Sequence, residues 1–204
     1  MRRDPKSILE GLRSEAEKCR RCELCKTRTN LVFGDGPASA EVMLVGEAPG
    51  FWEDQAGIPF VGAAGRNLNA LLLEAGLRRE EVYITNVVKS RPPGNRDPTE
   101  EEIAACRPFL QGQISAIRPK LVVALGRIAA GELLSRPVAM SREHGALVDC
   151  SYAGVNFKLF LTYHPAAGIY SGRTKLELQN DFRKLGEILK KLDISCATKQ
   201  PSNR

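Results

Sequence analysis

Short apolar runs that stop abruptly constrain the fold of this chain more than any other feature. Residues 41–46 read Glu-Val-Met-Leu-Val-Gly, and residues 121–126 end in the same way at a glycine. Residues 82–88 form a third run, which Asn86 interrupts. Such runs suit strands that are buried on both faces. Because amphipathic helical patterns separate them, the sequence predicts a parallel sheet with helices on both faces.

A fourth apolar run, residues 155–161, completes the predicted sheet. We therefore expect an α/β fold, a three-layer α/β/α sandwich around a central four-stranded parallel sheet. Residues 135–152 show no period and are predicted to be irregular. Thr99 with Glu102, and Thr174 with Glu177, have the spacing of capping boxes at the starts of two helices.

Composition narrows the class of protein. The chain has 204 residues, of which 43% are hydrophobic, enough for one domain over residues 1–194 with a polar tail at 195–204. No apolar run reaches the roughly 18 residues of a membrane span, and no signal peptide is recognisable. We expect a cytoplasmic monomer without a membrane partner. The net charge of +6 favours a polyanionic partner, nucleic acid first.

Polar residues follow three of the predicted strands at their carboxyl ends. Glu47 follows the first strand, Asn86 lies near the end of the second, and His164 follows the fourth. Ligands of open α/β sheets bind beyond these ends, so the three side chains are expected to converge. Glu47 is a candidate general base and Asn86 a candidate reader of a nucleobase edge. Each residue also has a purely structural alternative. Glu47 could cap the next loop, Asn86 could clamp a loop, and His164 could be an ordinary core histidine.

The loops around these residues carry further candidates. Phe60 lies in a glycine-rich loop after the first strand, where it is either core or a stacking wall for a flat ligand. Lys89, Arg91 and Arg96 lie in a polar loop after the second strand. They are either solvated or in contact with phosphates.

The cysteines indicate a metal site. Cys19, Cys22 and Cys25 are separated by two-residue gaps, as in metal knuckles, and Cys106 is available as a distant ligand. In an intracellular chain, clustered cysteines more often bind a metal than form disulfides. Zinc and an iron–sulfur cluster both fit this spacing.

Several motifs in order resemble those of the family 4 uracil-DNA glycosylases, the iron–sulfur branch of that superfamily. The resemblance extends from about residue 19 to residue 190. The matching segments are Cys19-Arg-Arg-Cys22, Gly46-Glu-Ala-Pro-Gly50 with Glu53-Asp54, Pro59-Phe60-Val-Gly62, Tyr83-Ile-Thr-Asn86-Val-Val-Lys89, Arg91-Pro-Pro-Gly-Asn-Arg96, residues 121–126 and Tyr163-His164-Pro165-Ala166.

The resemblance implies hydrolysis of the uracil N-glycosidic bond in DNA. It implies that Glu47 handles the water, that Phe60 stacks on the base, that Asn86 reads uracil and that His164 faces the leaving base. Gly46 and Ala48 would complete the uracil site. DNA contacts would come from six residues: Lys89, Arg91, Arg96, Ile169, Tyr170 and Arg173. Arg20 is a further basic candidate. The family often has a leucine pair near 168 and 169, so Gly168 makes Ile169 or Tyr170 the expected wedge.

The resemblance also implies a four-iron cluster with a structural role. Its ligands would be Cys19, Cys22, Cys106 and the residue at position 90, which is Ser90 here. Either Ser90 binds through oxygen, or Cys25 replaces it, or the cluster is labile or absent. A hard oxygen ligand suits such a site less well than a thiolate.

The function expected from the sequence is that of a monofunctional uracil-DNA glycosylase. Two alternatives remain: a non-catalytic iron–sulfur module that binds nucleic acid, and a related enzyme that traps its DNA through a loop histidine. The loop at residues 89–98 contains no histidine, which counts against the second alternative.

Overall fold

The computed structural model describes residues 4–194. The predicted tail at 195–204 lies outside the described residues. The strands are β1 (Val42–Gly46), β2 (Tyr83–Asn86), β3 (Leu121–Leu125), β4 (Leu147–Tyr152) and β5 (Val155–Thr162). The helices are α1 (Pro5–Lys18), α2 (Leu24–Thr27), α3 (Phe51–Ala56), α4 (Ala63–Glu74), α5 (Glu100–Ile117), α6 (Arg127–Leu134), α7 (Met140–Glu143), α8 (Ala167–Tyr170) and α9 (Gly172–Lys191). None of the described helices is long and apolar enough to cross a bilayer.

The strands form one five-stranded sheet in the order β2-β1-β3-β5-β4. The four strands predicted from the sequence are parallel, and β1 pairs with both β2 and β3. The prediction of a four-stranded sheet is wrong by one strand, because β4 pairs antiparallel with β5.

Strand β4 lies in the segment that the sequence predicted to be irregular. It forms a hairpin with β5 through the two-residue turn Ala153-Gly154, both of which have positive φ angles, of 52° and 73°. This left-handed pair is typical of tight hairpins. At the sheet edge β4 buries only Cys150 and Tyr152, so it lacks the continuous apolar run of the central strands.

Alternate residues of the central strands face two separate apolar layers. Met43 and Val45 of β1 pack on the side of α1, α5 and α6. Val42 and Leu44 pack on the side of α4 and α9. Helices therefore cover both faces of the sheet, and this burial leaves the carboxyl ends of the strands as the open edge.

The helix starts agree with the sequence prediction in one case and differ in another. Helix α5 begins with the predicted capping box, in which Thr99 and Glu102 bond each other's backbone N–H groups. For α9 the predicted pair, Thr174 and Glu177, is wrong. Ser171 is the N-cap, and its hydroxyl accepts a hydrogen bond from the backbone N–H of Thr174.

The glycine-rich loop after β1 contains a short helix that the sequence did not predict. Helix α3 has only six residues, and Gly57 ends it with a φ of 71°. A single turn bounded by glycines is too short to produce a helical period. Its Asp54 is buried and accepts hydrogen bonds from the backbone N–H of Thr29, which ties α3 to the amino-terminal segment.

Candidate functional site

A cavity of about 300 Å³ opens at the carboxyl ends of β1, β2 and β5. We call it the strand-end cavity. Glu47, Asn86 and His164 all line it, so the structure brings together the three polar residues that follow or end the strands. The remaining lining residues include Ala48, Pro49, Gly50, Glu53, Phe60, Pro92, Asn95, Arg96 and Ala166.

Asn86 is the last residue of β2, and its side-chain carbonyl has no hydrogen-bond partner. Among the described residues, its Oδ1 is the one buried side-chain polar atom in this state. An unpaired buried acceptor is costly, so a ligand that brings a donor is favoured. Gly46, paired with Asn86 across the sheet, makes room for the amide. A Cβ at position 46 would overlap Asn86 Oδ1 and lie 2.7 Å from Phe60 Cζ.

The loop that carries Phe60 is held in an unfavourable backbone conformation. Phe60 has a φ of 54°, a region that bulky residues rarely occupy, and its ring is buried against the cavity. Arg79 donates hydrogen bonds to the carbonyls of Pro59 (2.6 Å) and Phe60 (3.1 Å). Glu53 Oε1 accepts hydrogen bonds from the backbone N–H groups of Val61 (2.9 Å) and Gly62 (2.8 Å). These contacts fix the ring as one wall.

Glu47 lies next to a second carboxylate. Burial, followed by the neighbouring Asp97, raises the pKa of Glu47 to about 7, while Arg127 acts in the opposite direction. Arg127 forms an ion pair with Asp97. A carboxyl with such a pKa changes its charge near neutral pH, which suits a group that accepts or holds a proton.

His164 is neutral at physiological pH. Burial lowers its pKa to about 4. Its Nδ1 accepts a hydrogen bond from the backbone N–H of Ala166 at 3.2 Å, so the proton of the neutral ring belongs on Nε2. The ring lies 5.6 Å from that of Phe60, and Asn67 holds the loop through the carbonyl of Pro165 at 2.8 Å. The site therefore has a neutral N–H donor beside its aromatic wall.

Lys89 is not on the surface, and its predicted phosphate contact is wrong. The side chain is 1% exposed. Its Nζ donates hydrogen bonds to Thr85 Oγ1 (2.7 Å), Asn86 O (2.5 Å) and Gln113 Oε1 (2.7 Å). Burial lowers the pKa of Lys89 to about 7. The aliphatic part of a lysine can carry its ammonium group to buried oxygens, and the sequence of a polar loop does not reveal this. The sequence therefore suggested an exposed charge.

The other predicted DNA contacts lie around the cavity or on the surface. Arg96 lines the cavity and forms a two-pronged ion pair with Glu102. Arg91 bonds Asn95 and lies over the ring of Phe51. In α8, which follows the cavity residue Ala166, Ile169 is 46% and Tyr170 88% exposed. Arg173, like Arg20, is exposed.

The cysteines meet at a second, smaller cavity, which we call the cysteine corner. It is lined by Cys19, Cys22, Cys25, Ser90 and Cys106. Arg21 Nε donates a hydrogen bond to Cys19 Sγ at 3.4 Å, and the backbone N–H of Lys89 donates one to Cys106 Sγ at 3.2 Å. N–H groups directed at sulfur stabilise thiolates, which are the form that binds metals.

The cysteine corner offers four thiols and the hydroxyl of Ser90 as donors. Within residues 4–194, no three histidine, cysteine or carboxylate side chains are grouped closely enough to bind one metal ion. In a four-iron cluster each ligand binds a different iron, so the ligands stand farther apart than around zinc. Both candidates for the fourth ligand line the cavity, and Ser90 Oγ accepts a hydrogen bond from Arg28 at 3.2 Å.

Several residues that shape the strand-end cavity were not identified from the sequence. Arg79 and Asn67 act through side-chain bonds to backbone carbonyls far along the chain, and no local pattern signals such contacts. Gly65 also acts at a distance, because a Cβ there would overlap the carbonyl of Phe60. Asp97 could have been identified from the sequence, because it is an acidic residue in the loop that follows Asn86.

Comparisons with known proteins agree with this geometry. The sequence model of the uracil DNA glycosylase superfamily matches residues 33–190. The chain is 45% identical to the type-4 uracil-DNA glycosylase of Archaeoglobus fulgidus over 95% of its own length and 96% of the relative. It is 41% identical to the type-4 enzyme of Thermotoga maritima, covering 90% and 96%. A type-5 uracil-DNA glycosylase from Pyrobaculum aerophilum is 34% identical, covering 79% and 75%. The chain therefore belongs to the uracil DNA glycosylase superfamily, and within it to the type-4 family.

Proposed function

We propose that this protein is a monofunctional uracil-DNA glycosylase of DNA repair. It takes deoxyuridine out of the DNA helix and hydrolyses the N-glycosidic bond, which releases uracil and leaves an abasic site. The reacting C1′ atom is inaccessible in a stacked duplex, so the nucleotide must be extruded at a cost of a few kcal/mol. The strand-end cavity, at about 300 Å³, is of the size that encloses small ligands.

The unpaired carbonyl of Asn86 carries this proposal. Uracil presents a donor at N3–H and an acceptor at O4, whereas cytosine presents an acceptor at N3 and a donor at N4. Asn86 Oδ1 accepts from uracil N3–H, and its NH₂ group donates to O4. Cytosine in the same pose opposes acceptor to acceptor and donor to donor. Buried polar groups left unpaired in this way discriminate by orders of magnitude.

His164 stabilises the leaving group. As the C–N bond breaks, negative charge develops on the uracil ring and its O2 atom. A neutral imidazole with its proton on Nε2 donates a hydrogen bond to that oxygen without adding a positive charge before the reaction. Donors placed where charge develops contribute about 10²–10³-fold to turnover. Phe60, 5.6 Å from the histidine ring, stacks on the base.

Glu47 orients the water that attacks C1′. In its ionised form the carboxylate accepts a hydrogen bond from this water and opposes the positive charge that develops on the sugar. A bifunctional mechanism needs a lysine that reaches the sugar. In the described part of the chain, no lysine lines the strand-end cavity, and Lys89 is held by three oxygens in the interior.

Exposed groups around the cavity hold the DNA. Ile169 and Tyr170 follow the His164 loop and fill the space that the extruded base leaves. The guanidinium groups of Arg91, Arg96 and Arg173, with Arg20 farther away, bind phosphates on either side. Because these contacts replace counterions, affinity falls steeply as salt rises.

The cysteine corner holds a structural [4Fe–4S] cluster in this proposal, with Cys19, Cys22, Cys106 and Ser90 as ligands and Cys25 as the alternative to Ser90. The cluster, when bound, supplies a covalent link between the amino-terminal segment and α5 and has no part in hydrolysis. The chain's own contacts support this linking role, since Val32 N–H bonds Lys89 O at 2.9 Å beside the corner.

The direct test is excision from a labelled oligonucleotide that contains a single deoxyuridine. After incubation, hot alkali cleaves the strand at abasic sites. We expect cleavage at the uracil position and none at deoxycytidine in the same sequence. Binding without cleavage would show a non-catalytic module, and a protein–DNA adduct stable in detergent would show covalent trapping.

Asn86→Asp separates base reading from electrostatics. An acid in place of the amide loses the donor to O4 and offers an acceptor to the amino group of cytosine, so we expect weaker uracil preference and measurable cytosine excision. Asn95→Asp is the matched control, because it places the same charge in the same cavity. If both variants lose uracil excision equally, the amide of Asn86 is not the reader.

A further inference from the structure

Two exposed aromatic side chains, Phe51 and Trp52, lie in the chain between two residues that line the strand-end cavity, Gly50 and Glu53. Phe51 is 44% and Trp52 64% exposed, and their rings meet edge to face with centroids 5.1 Å apart. The guanidinium of Arg91 lies 5.1 Å from the centroid of Phe51. We call Phe51, Trp52 and Arg91 the aromatic rim.

The aromatic rim adjoins residues that line the cavity. Gly50, immediately before Phe51, and Glu53, immediately after Trp52, are both lining residues. Arg91 precedes Pro92, which lines the cavity from another loop. The Trp52 side chain also lies against Gly62, since a Cβ at that position would be 3.4 Å from Trp52 Cδ1. A DNA strand whose nucleotide enters the cavity must therefore pass close to this rim.

The fold does not use these rings. The inward-facing residues of α3 are Glu53, which bonds the Phe60 loop, and Asp54, which is buried against the backbone of Thr29. Phe51 and Trp52 take the outward positions. Ile58 and Val61, 42% and 36% exposed, extend the apolar surface along the same segment. Adjacent exposed aromatics of this kind mark a binding surface rather than a core.

We propose that the aromatic rim is a stacking site for an unpaired nucleobase next to the extruded deoxyuridine. Three features select this occupant: the flat π surface of Trp52, the cation of Arg91 over the neighbouring ring of Phe51, and continuity with a cavity that takes a nucleotide from the same strand. Proteins that bind single strands combine such rings with basic groups, and stacking contributes about 1–3 kcal/mol per base.

The substrate class follows from where bases are free to stack. In a duplex, the bases next to an extruded nucleotide remain stacked and paired. Such a base would have to lose its stacking and pairing in the helix before it could contact the aromatic rim. In a single strand the neighbours are already free. The rim therefore adapts the enzyme to uracil in single-stranded DNA. This inference rests on the proposed function, because the cavity has to receive the neighbouring nucleotide.

Trp52 itself reports on the contact, because it is the only tryptophan in the chain. A base stacked on its indole quenches its fluorescence. Titrating the full-length protein with a single-stranded oligonucleotide that lacks uracil should quench this emission. The matching duplex should quench it far less, and a single strand of abasic units, with the same charge, should not quench it. Equal quenching by the abasic strand, or no quenching by any strand, would overturn the proposal.

Substitution provides the second measurement. Trp52→Ala should weaken binding of the uracil-free single strand by about 5- to 150-fold, the range that stacking of one base implies, and change duplex binding little. Trp52→Phe should retain most of the affinity. Leu73→Ala, which removes a 69% exposed apolar side chain from α4, is the matched control and should have no effect. If Trp52→Ala leaves single-strand binding unchanged, the rim serves another partner and the proposal fails.

The two proposals fail in different ways. A protein that excises uracil from single and double strands, but whose Trp52 neither quenches nor affects binding, retains the proposed function and loses this inference. A protein that quenches with single strands but excises nothing keeps the stacking site and loses the glycosylase assignment.

Discussion

The strand-end cavity and the cysteine corner lie on either side of one short segment, residues 86–90, and different forces shape them. At the cavity, the loops are fixed before any ligand arrives, because Arg79 and Asn67 donate hydrogen bonds to loop carbonyls and Glu53 accepts them from loop N–H groups. At the corner, the thiols share a cavity but do not contact one another as ligands of a single ion would. The polypeptide therefore pre-organises the loops of the cavity, and at the corner it directs one N–H group at Cys19 and one at Cys106.

Burial favours the neutral form of titratable groups in both regions, but the chemical consequences differ. In the cavity it raises the pKa of Glu47 and lowers that of His164, so it favours the neutral form of both groups. In the corner, burial raises the pKa of Cys106, which opposes the thiolate that a metal requires. The comparison teaches that the same burial preserves the neutral imidazole of His164 in the cavity and works against the thiolate form of Cys106 in the corner.

The largest effect is expected from removing the neutral donor of the cavity. His164→Ala should lower turnover on deoxyuridine by about 10²–10³-fold, the cost of losing one donor to a developing negative charge. DNA affinity should barely change, because the contact proposed for this side chain is with the base and not with the DNA backbone. Single-turnover rates and equilibrium binding measured separately test this. Lost binding with an intact single-turnover rate would refute the role in leaving-group stabilisation.

The next effect tests whether the cavity is pre-organised. Gly46→Ala places a methyl group where Asn86 and Phe60 now meet, so one of them must move. Displacement of about 1 Å in a catalytic site costs about 10²-fold, and we expect a loss of that order in kcat/KM. Gly11→Ala, on an exposed turn of α1 with nothing within 4 Å, is the control and should leave kcat/KM unchanged. Full activity in the Gly46 variant would mean that the cavity is plastic.

The pH dependence distinguishes the two buried groups. The pKa of Glu47 lies near 7, above its ordinary value, so below that pH the carboxyl carries a proton and lacks the negative charge that orients the water and opposes the sugar cation. With His164 neutral at every pH well above about 4, kcat/KM should rise about tenfold from pH 6 to pH 8 and then level off. Glu47→Gln should be slow at every pH, with a flat profile. A flat profile in the wild type would contradict the assignment.

A smaller effect is expected where the two regions meet. Lys89→Met removes three buried hydrogen bonds, to Thr85, Asn86 and Gln113, and each buried acceptor left without a partner costs about 1–3 kcal/mol. We expect a lower melting temperature and a kcat/KM reduced by less than about tenfold, because Asn86 loses its backbone anchor. Lys120→Met, a surface lysine paired with Glu41, is the control. Equal melting temperatures for the two variants would show that the hydrogen bonds of Lys89 do not stabilise the segment between the two regions.

The smallest effect on turnover is expected at the fourth ligand. Ser90→Cys should retain iron longer in air, since a thiolate is the softer ligand, without raising kcat appreciably. Ser90→Ala should lose iron faster, and Cys25→Ala should not. Iron and sulfide analysis with the visible spectrum measures these differences. Loss of iron from Cys25→Ala alone would exchange the two assignments, and zinc in the wild type would end the cluster proposal.

The sequence predicted the parts of the fold that depend on local pattern. Four strands followed from continuous apolar runs, and the meeting of Glu47, Asn86 and His164 followed from the rule that parallel strands end at one edge. Strand β4 was missed because an edge strand with one exposed face has a weak apolar pattern.

Long-range contacts were beyond the reach of sequence patterns. The sequence predicts that Lys89 is an exposed cation in a loop, yet its Nζ donates a hydrogen bond to Gln113 on α5, 24 residues away. Arg79 supports Phe60 from 19 residues away. Such pairings depend on which elements pack together, and hydrophobic period fixes the faces of elements rather than the partners of single polar atoms.

The unpaired oxygen of Asn86 has opposite effects on thermal stability and on the proposed selectivity for uracil. A buried acceptor without a partner lowers the stability of the empty protein by about 1–3 kcal/mol, and an apolar side chain of similar shape removes that penalty. A laboratory selection for survival at high temperature alone should therefore favour leucine at position 86. The variants it yields would have a higher melting temperature and would no longer distinguish uracil from cytosine. The residue at position 86 would therefore indicate whether an evolved variant has retained its selectivity.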